Sequence, residues 1–245
     1  TLFESHGFHI AVYRRQGGRV PELDNIHEGP AMRERIGQFI ARIHQVGARH
    51  GFLHRPPLDC ELDGWRSIER VTECAWLPPE VRHQWEDLAR QCCTLVEARL
   101  HPTLASSGVA DFTRIRLHGD CHPGNLLHRD DAFHVVDLDD CRMGPAVQDL
   151  WMMLAGERHE RLGQLAELVD GYQEFHDFAA RELPLIEGLR ALRLMHHSAW
   201  IARRWDDPAF PLAFPWFAGE RYWGEQILAL REQMAALDEE PLRLF

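Results

Sequence analysis

Apolar residues recur along most of this chain at the three-to-four-residue spacing of helices, and only briefly at the alternation expected of strands. From Pro30 onward, Met32, Ile36, Phe39, Ile40 and Ile43 fall on one face, which predicts an amphipathic helix ending near Gly47. ELDGWRSIERV and PPEVRHQWEDLARQCCTLVEARL predict two more helices. The second has Pro79 near its start, where a missing backbone donor does no harm. Beyond GPAVQDLWMML the pattern stays helical to the end, except at DDPAFPLAFPWF, whose prolines forbid a continuous helix.

Three runs break the helical texture. FHIAVY, Phe8 to Tyr13, is β-branched and aromatic enough to be a strand, and HGFH before it reads as the turn of a hairpin from TLF. Paired glycines and a proline in RRQGGRVPE end it. FTRIRL, Phe112 to Leu117, predicts a second strand, and AFHVVDLDD a third that runs into acids. The expectation is an α+β chain in which short β elements sit inside a mainly helical body, with no internal repeat.

Composition narrows the functions. The net charge of -11 argues against nucleic-acid and anionic-membrane partners, because phosphate is bound by clustered positive charge. There is no apolar run long enough for a membrane span and no secretory pattern, so a cytoplasmic location is expected. The six cysteines are irregularly spaced in a chain too large to need staples, which predicts reduced thiols. A zinc site from Cys121, His122 and Cys141 is conceivable, although adjacent Cys and His arise easily among sixteen histidines. Every basic residue is arginine; there is no lysine.

The candidate chemistry lies between the second and third strands, in LHGDCHPGNLL, which holds one of only two asparagines. Phosphoryl transfer from ATP needs magnesium held by hard oxygen ligands and an acceptor hydroxyl placed beside a carboxylate. Asp120 and Asn125 have the five-residue step of the Asp and Asn in a kinase catalytic loop. In this reading Asp120 takes the acceptor's proton, Asn125 binds magnesium through its carbonyl oxygen, and Asp137 is the second metal anchor. The bland rival is that an Asp in a Gly-rich loop, or an Asn beside Gly, is a turn residue. The joint pattern, HGDxHxxN followed by an apolar strand ending in Asp, favours the functional reading. Asp139 and Asp140 read as solvated acids that can assist the metal. His122 reads as a brace for the loop backbone, and Asp149 as a helix cap able to reach back to the loop. Trp151, Met152, Met153, Leu154 and most of the eight tryptophans read as core. Arg14-Arg15, Arg203-Arg204 and Arg129-Asp130 read as solvated faces or local ion pairs, with binding as the minority alternative.

LHGDCHPGNLL with VVDLDD resembles the motif of the aminoglycoside phosphotransferase and choline kinase superfamily, whose fold is protein-kinase-like. RLHGDCHPGNLLHRD, VDLDDCRMGPAVQDLWMML, HRPPLD and RRWDDPAFPLAFPWF together resemble the bacterial stress response kinase A group along almost the whole chain. That resemblance implies a cytoplasmic serine/threonine protein kinase that uses ATP and Mg2+ and phosphorylates protein substrates, itself included. By position it implies Asp120 as proton acceptor and Asn125 and Asp137 as magnesium ligands. It implies that residues 1–18 are the last hairpin of a small lobe and the hinge, with Tyr13 at the adenine and Leu127 and Val136 under the base. Residues 19–245 would then be the helical large lobe of a monomer.

Departures from the family matter. Its small lobe supplies a nucleotide-covering loop, a strand lysine and a helix glutamate, and this chain opens at Thr1 in mid-pattern, which predicts an upstream segment. There is no DFG glycine, no APE-like motif, and Gly119 stands where protein kinases have arginine, so control by a phosphorylated activation loop is not expected. A small-molecule kinase of the aminoglycoside, choline or homoserine type would use the same residues. A pseudokinase-like binding module is the reading if no small lobe exists, and metal-dependent hydrolysis has too few ligands. Cys121, beside the proposed base, raises a redox-sensing alternative to simple space filling.

Overall fold

The structure is a computed structural model that describes residues 2–105 and 113–244. It opens on a hairpin of β1 (Leu2–Ser5) and β2 (Phe8–Ala11), paired antiparallel with Glu4 opposite His9. His6 and Gly7 both have positive φ, the geometry that matches a tight turn to the twist of its strands. Strand β2 stops at Ala11, two residues short of the expected Tyr13.

Helix α1 (Gly29–Gly47) starts with proline in its first turn and buries Ile36 and Ile40 along the expected face. The predicted helix from Glu61 is a π turn (Glu61–Trp65) running into α2 (Arg66–Glu73), and α3 spans Pro79–Ala105. Strand β3 covers Ile115–Leu117; Phe112 lies outside the described residues. A hairpin follows, β4 (Leu126–Arg129) with β5 (Ala132–Val135), then β6 (Arg142–Gly144), which pairs antiparallel with β3. The expected strands β3 and β5 therefore do not pair with each other. Each has a partner too short for periodicity to reveal, and β5 ends before Asp137 rather than running into the acids.

The rest is helical: α4 (Val147–Trp151), α5 (Arg158–Gln173), α6 (Ile186–Arg203), α7 (Ala209–Ala213) and α8 (Glu220–Asp238). Proline sits in the short α7, between breaks on either side, as DDPAFPLAFPWF predicts. Helices α1 and α5 approach closely because each has glycine at the contact. A Cβ on Gly37 would lie 2.0 Å from the Leu168 carbonyl, and one on Gly171 1.9 Å from that of Glu34.

Two apolar cores result. One joins α1, α4 and α5 to β3 through Ile36, Ile40, Leu117, Leu150, Leu168 and Tyr172. The other joins α2, α3, α6 and α8 through Val71, Trp85, Val96, Met195, Phe217 and Trp223. Helix α6 contributes to both, with Ile186 and Leu189 in the first and Leu192 and Met195 in the second. Four tryptophans are buried: Trp85, Trp151, Trp205 and Trp223. Trp65 and Trp200 pack half-buried against the second core, so most tryptophans are core as expected, while Trp76 and Trp216 are exposed at its edge, Trp76 tilted against Trp205 and Trp216 against Phe214 and Tyr222.

Candidate functional site

The loop between β3 and β4 is built around hydrogen bonds that its own sequence supplies. Asp120 N–H donates to His118 Nδ1 at 3.3 Å, so the imidazole proton sits on Nε2, which donates to the Val136 carbonyl at 2.9 Å. Asn125 Nδ2 donates to the Asp120 carbonyl at 2.9 Å, and Val136 N–H donates to the Asn125 carbonyl at 3.0 Å. These bonds tie the loop of Asp120 and Asn125 to the end of β5, directly before Asp137. His122 accepts from Gly124 N–H at 3.0 Å, the backbone-bracing role expected of it, and its Nε2 stands 3.7 Å from Asp120 Oδ2.

Gly119 adopts φ +86°, and a Cβ there would lie 2.2 Å from the Asp140 carbonyl oxygen. Only glycine lets the catalytic-type loop and the acidic loop touch at this point. The place of the protein-kinase arginine is thus filled by a residue suited to close backbone approach.

Beneath the loop lies a buried clamp. Asp149 Oδ2 accepts from His118 N–H at 2.8 Å and Oδ1 from Gly119 N–H at 2.9 Å. His44, fully buried on α1, donates through Nε2 to Asp149 Oδ2 at 2.9 Å while its Nδ1 meets the Tyr172 hydroxyl at 2.9 Å. Gln148 adds a bond from Nε2 to the Gly119 carbonyl at 3.0 Å and accepts from the Trp151 indole. Asp149 therefore reaches back to the loop, as its position allows, but it does not cap its own helix. Glu182 accepts from Val147 N–H at 2.9 Å instead, and burial pushes its carboxyl up to about 7 against the pull of that backbone donor. Burial likewise holds the Tyr172 hydroxyl above its ordinary range.

The fit to a divalent cation rests on two oxygens. Asn125 is buried, and with its amide nitrogen committed, its Oδ1 has no partner among the described residues. Asp137 is exposed, sits at φ +60°, and its carboxylate makes no hydrogen bond or ion pair with any described residue. Two hard oxygen donors suit magnesium, which keeps several waters and completes its shell with phosphate oxygens. No three His, Cys, Asp or Glu converge on a metal-binding point among the described residues, Cys121, His122 and Cys141 included. Cys121 is 1% exposed, and burial with the nearby Asp149 and Asp120 carboxylates pushes its thiol well up, a setting for a space-filling thiol rather than a reactive one.

On the hairpin, residues 125, 127, 134 and 136 share one face, because Leu127 lies opposite His134 and Asn125 opposite Val136. Leu127 and Val136 are thus brought beside the metal donors, both half-buried. Gly18 backs onto Leu127, and Arg19 and His128 exchange backbone bonds of 3.1 and 2.8 Å, which lays the segment after β2 along this hairpin. Tyr13 lies before this segment with its side chain 75% exposed, and no hydrogen bond or ring contact joins it to Leu127 or Val136 among the described residues.

Residues that local pattern did not single out complete the site. Arg193 on α6 holds Asp120 Oδ1 at 2.5 Å as an ion pair without hydrogen-bond alignment. Arg142 binds Asp63 at 2.7 Å and Asp140 at 3.4 Å, and His196 stands 3.3 Å from the same Asp63 oxygen. Burial, with Arg193 beside it, lowers His197 from its ordinary range, so the imidazole next to the ion pair is held neutral. A cavity of about 570 Å³ opens here, lined by Asp137, Asp139 and Asp140 on one side and by α2 and α6 on the other. His44 had a local signal, since it continues the 36, 40, 44 spacing of α1. Arg193, Asp63 and His196 had none, because they meet the loop only through helix packing.

A candidate base, two oxygen donors for a divalent cation and a loop pinned by backbone bonds are the parts of a kinase-like phosphotransfer site. The profile of the phosphotransferase enzyme family (APH) matches residues 1–184. Stress response kinase A of Escherichia coli strain K12 is 41% identical over 244 residues, covering all of this chain and 70% of that protein. The serine/threonine protein kinase RdoA of Salmonella typhimurium is 40% identical over 244 residues, with the same coverage. Among solved structures, a microcompartment-associated aminopropanol kinase matches with TM-score 0.64 at 18% identity, over 100% of this chain and 74% of that one. An amicoumacin kinase in complex with AMP-PNP, Ca2+ and Ami matches with TM-score 0.62 at 16% identity, over 95% of this chain and 65% of that one. The chain belongs to the phosphotransferase enzyme family and, within it, to the stress response kinase A group; it is a kinase with the protein-kinase-like α+β fold.

Proposed function

We propose that this chain carries the catalytic loop of an ATP- and magnesium-dependent serine/threonine protein kinase that acts in bacterial stress response, in the cytoplasm and as a monomer. The observation that carries the protein-kinase reading is the identity of about two residues in five over the full chain with relatives named as stress response and serine/threonine kinases. The geometry supports it at the level of chemistry. Asp120 takes the proton of the acceptor hydroxyl, with Arg193 holding the other carboxylate oxygen so that one face of the group is presented. Asn125 and Asp137 would hold the magnesium ion, which supplies charge neutralisation at the transferred phosphate. Leu127 and Val136 form an apolar floor for the base. No helix among the described residues is long and apolar enough to cross a membrane.

Labelled-phosphate transfer from ATP tests the reading on the full-length protein. Transfer to itself or to a generic protein substrate is expected, falling by about a hundred- to ten-thousand-fold in Asp120→Asn. An ATP-hydrolysing protein that labels no protein but phosphorylates an amino alcohol would replace this reading with the small-molecule kinase.

A further inference from the structure

The cavity beside Asp137 has two unlike walls. The inner wall is acidic, and most of its acids are committed, Asp63 and Asp140 to Arg142 and Asp137 to the cation of the proposed function, while Asp139 is exposed with its carboxylate in no ion pair among the described residues. The outer wall carries Arg66, Arg70, Arg203 and Arg204, all exposed. Arg66 and Arg70 lie one turn apart on α2, whose Ser67, Ile68 and Val71 are buried, so both guanidinium groups leave the helix on its outer face. On α6, His196, Trp200 and Arg203 follow at intervals of four and three on one face, and Arg204 caps the helix beside them. Because α2 packs on α6, the two arginine pairs meet at one opening.

Little neutralises them. Arg70 and Arg203 form no ion pair or hydrogen bond with a described residue. Arg66 has only Glu61 at 3.4 Å, both side chains about two-thirds exposed, a geometry that contributes almost nothing. Arg204 lies over the rings of Trp200 and Phe210, at 5.0 and 5.8 Å, which orients it without cancelling its charge. In a chain of net charge -11, four arginines gathered at the mouth of the cavity that Asp137 lines run against the composition.

We propose that this rim seats an anionic flank of the acceptor: a peptide whose Ser or Thr hydroxyl reaches Asp120 while an acidic or phosphorylated residue rests on Arg66, Arg70, Arg203 and Arg204. The inference deepens the protein-kinase reading and rests on it. Arginine's planar fork matches carboxylate and phosphate oxygens in pairs, which a cationic drug or amino alcohol cannot use and would be repelled by. The rim takes no part in the chemistry. The acceptor oxygen forms its bond to the γ-phosphorus as the bond to ADP breaks, ADP leaves, and the proton goes to Asp120.

The test uses the full-length protein and Ser-centred peptides identical except for their flanks: aspartate-rich, phosphoserine-bearing, neutral or arginine-rich. Transfer from ATP is measured for each, and binding is measured by anisotropy with a non-hydrolysable ATP analogue present. The anionic flanks are expected to outperform the neutral one by about tenfold or more in kcat/KM, mostly through KM. Whichever of the two anionic arms leads names the source of the charge. The R70E/R203E variant is expected to turn the preference toward arginine-rich flanks while the neutral peptide's rate holds, and R70K/R203K to keep the anionic preference in weakened form. Equal use of all flanks, or an unchanged preference in R70E/R203E, would overturn the rim. Anionic peptides that bind, lose binding in R70E/R203E and are never phosphorylated would support the rim and count against the protein-kinase reading instead.

Discussion

The two halves of this molecule are held together by different physics. The α1–α4–α5 half contains the catalytic-type loop and buries a polar chain, Tyr172, His44 and Asp149, directly beneath it. The α2–α3–α6–α8 half buries aromatic rings against each other, with Trp85 edge-on to Trp223 at 6.0 Å and Phe217 at 5.2 Å from Trp223. Apolar packing is non-directional and tolerates small repacking, whereas a buried carboxylate must find its donors in one arrangement. The half that must aim atoms to a fraction of an ångström uses the directional interaction. The half that must present a surface uses the tolerant one.

The largest expected effects set the halves apart by function rather than stability. Asp149→Ala leaves His44 and two backbone N–H groups without their carboxylate and is expected to cost about 3–5 kcal/mol in urea unfolding. Trp85→Ala is expected to cost a similar amount, about 3–5 kcal/mol. Below their unfolding midpoints the two differ: Asp149→Ala should lose phosphotransfer by about a hundredfold through misplacement of the loop, and Trp85→Ala should keep most of it. Equal activity losses in the two folded variants would remove the distinction drawn above.

Gly119→Ala sharpens it at a single methyl group. The residue sits at positive φ with the Asp140 carbonyl 2.2 Å from the added carbon, so about 1–3 kcal/mol of destabilisation is expected together with loss of transfer. Thermal melting and a kinetic assay on the same sample check both.

Glu182 offers a smaller, pH-dependent contrast. Its folded pKa of about 7 lies above its ordinary value of 4.5, so its contribution is fully present below the ordinary carboxylate range. That contribution is lost as pH rises through about 7. Melting temperature should therefore decline between pH 5 and pH 8, and Glu182→Gln should flatten this part of the profile. A slope unchanged in the variant would assign it to another group. At the bottom of the scale, Arg221→Ala breaks an exposed i,i+4 pair on α8 and should leave the melting temperature unchanged within error.

How much of this was legible depended on the range of the interaction. Helix α1 could be read to within a residue because its face repeats over nineteen residues, while β4 and β6 could not, being four and three residues long with partners set by the folded chain. The D-x-x-x-x-N step of Asp120 and Asn125 is a local spacing, so it was visible. The tautomer of His118 was not, since it depends on a carbonyl eighteen residues away. Tyr13 was placed at the adenine only by the family resemblance, and its side chain is exposed.

The sequence by itself determined the helical texture, the loop whose glycines and Asp–Asn step aim two side chains at one point, and the family to which those motifs belong. These are properties of short stretches, where backbone sterics and side-chain spacing act within a few residues. Only the tertiary structure decided that Asp149 would leave its own helix end to hold the loop, that Arg193 would meet Asp120 across 73 positions, and that arginines from α2 and α6 would face one opening. Such meetings depend on how two cores stack about a shared helix. That stacking is set by the burial of many apolar residues at once and has no signature at any one of them.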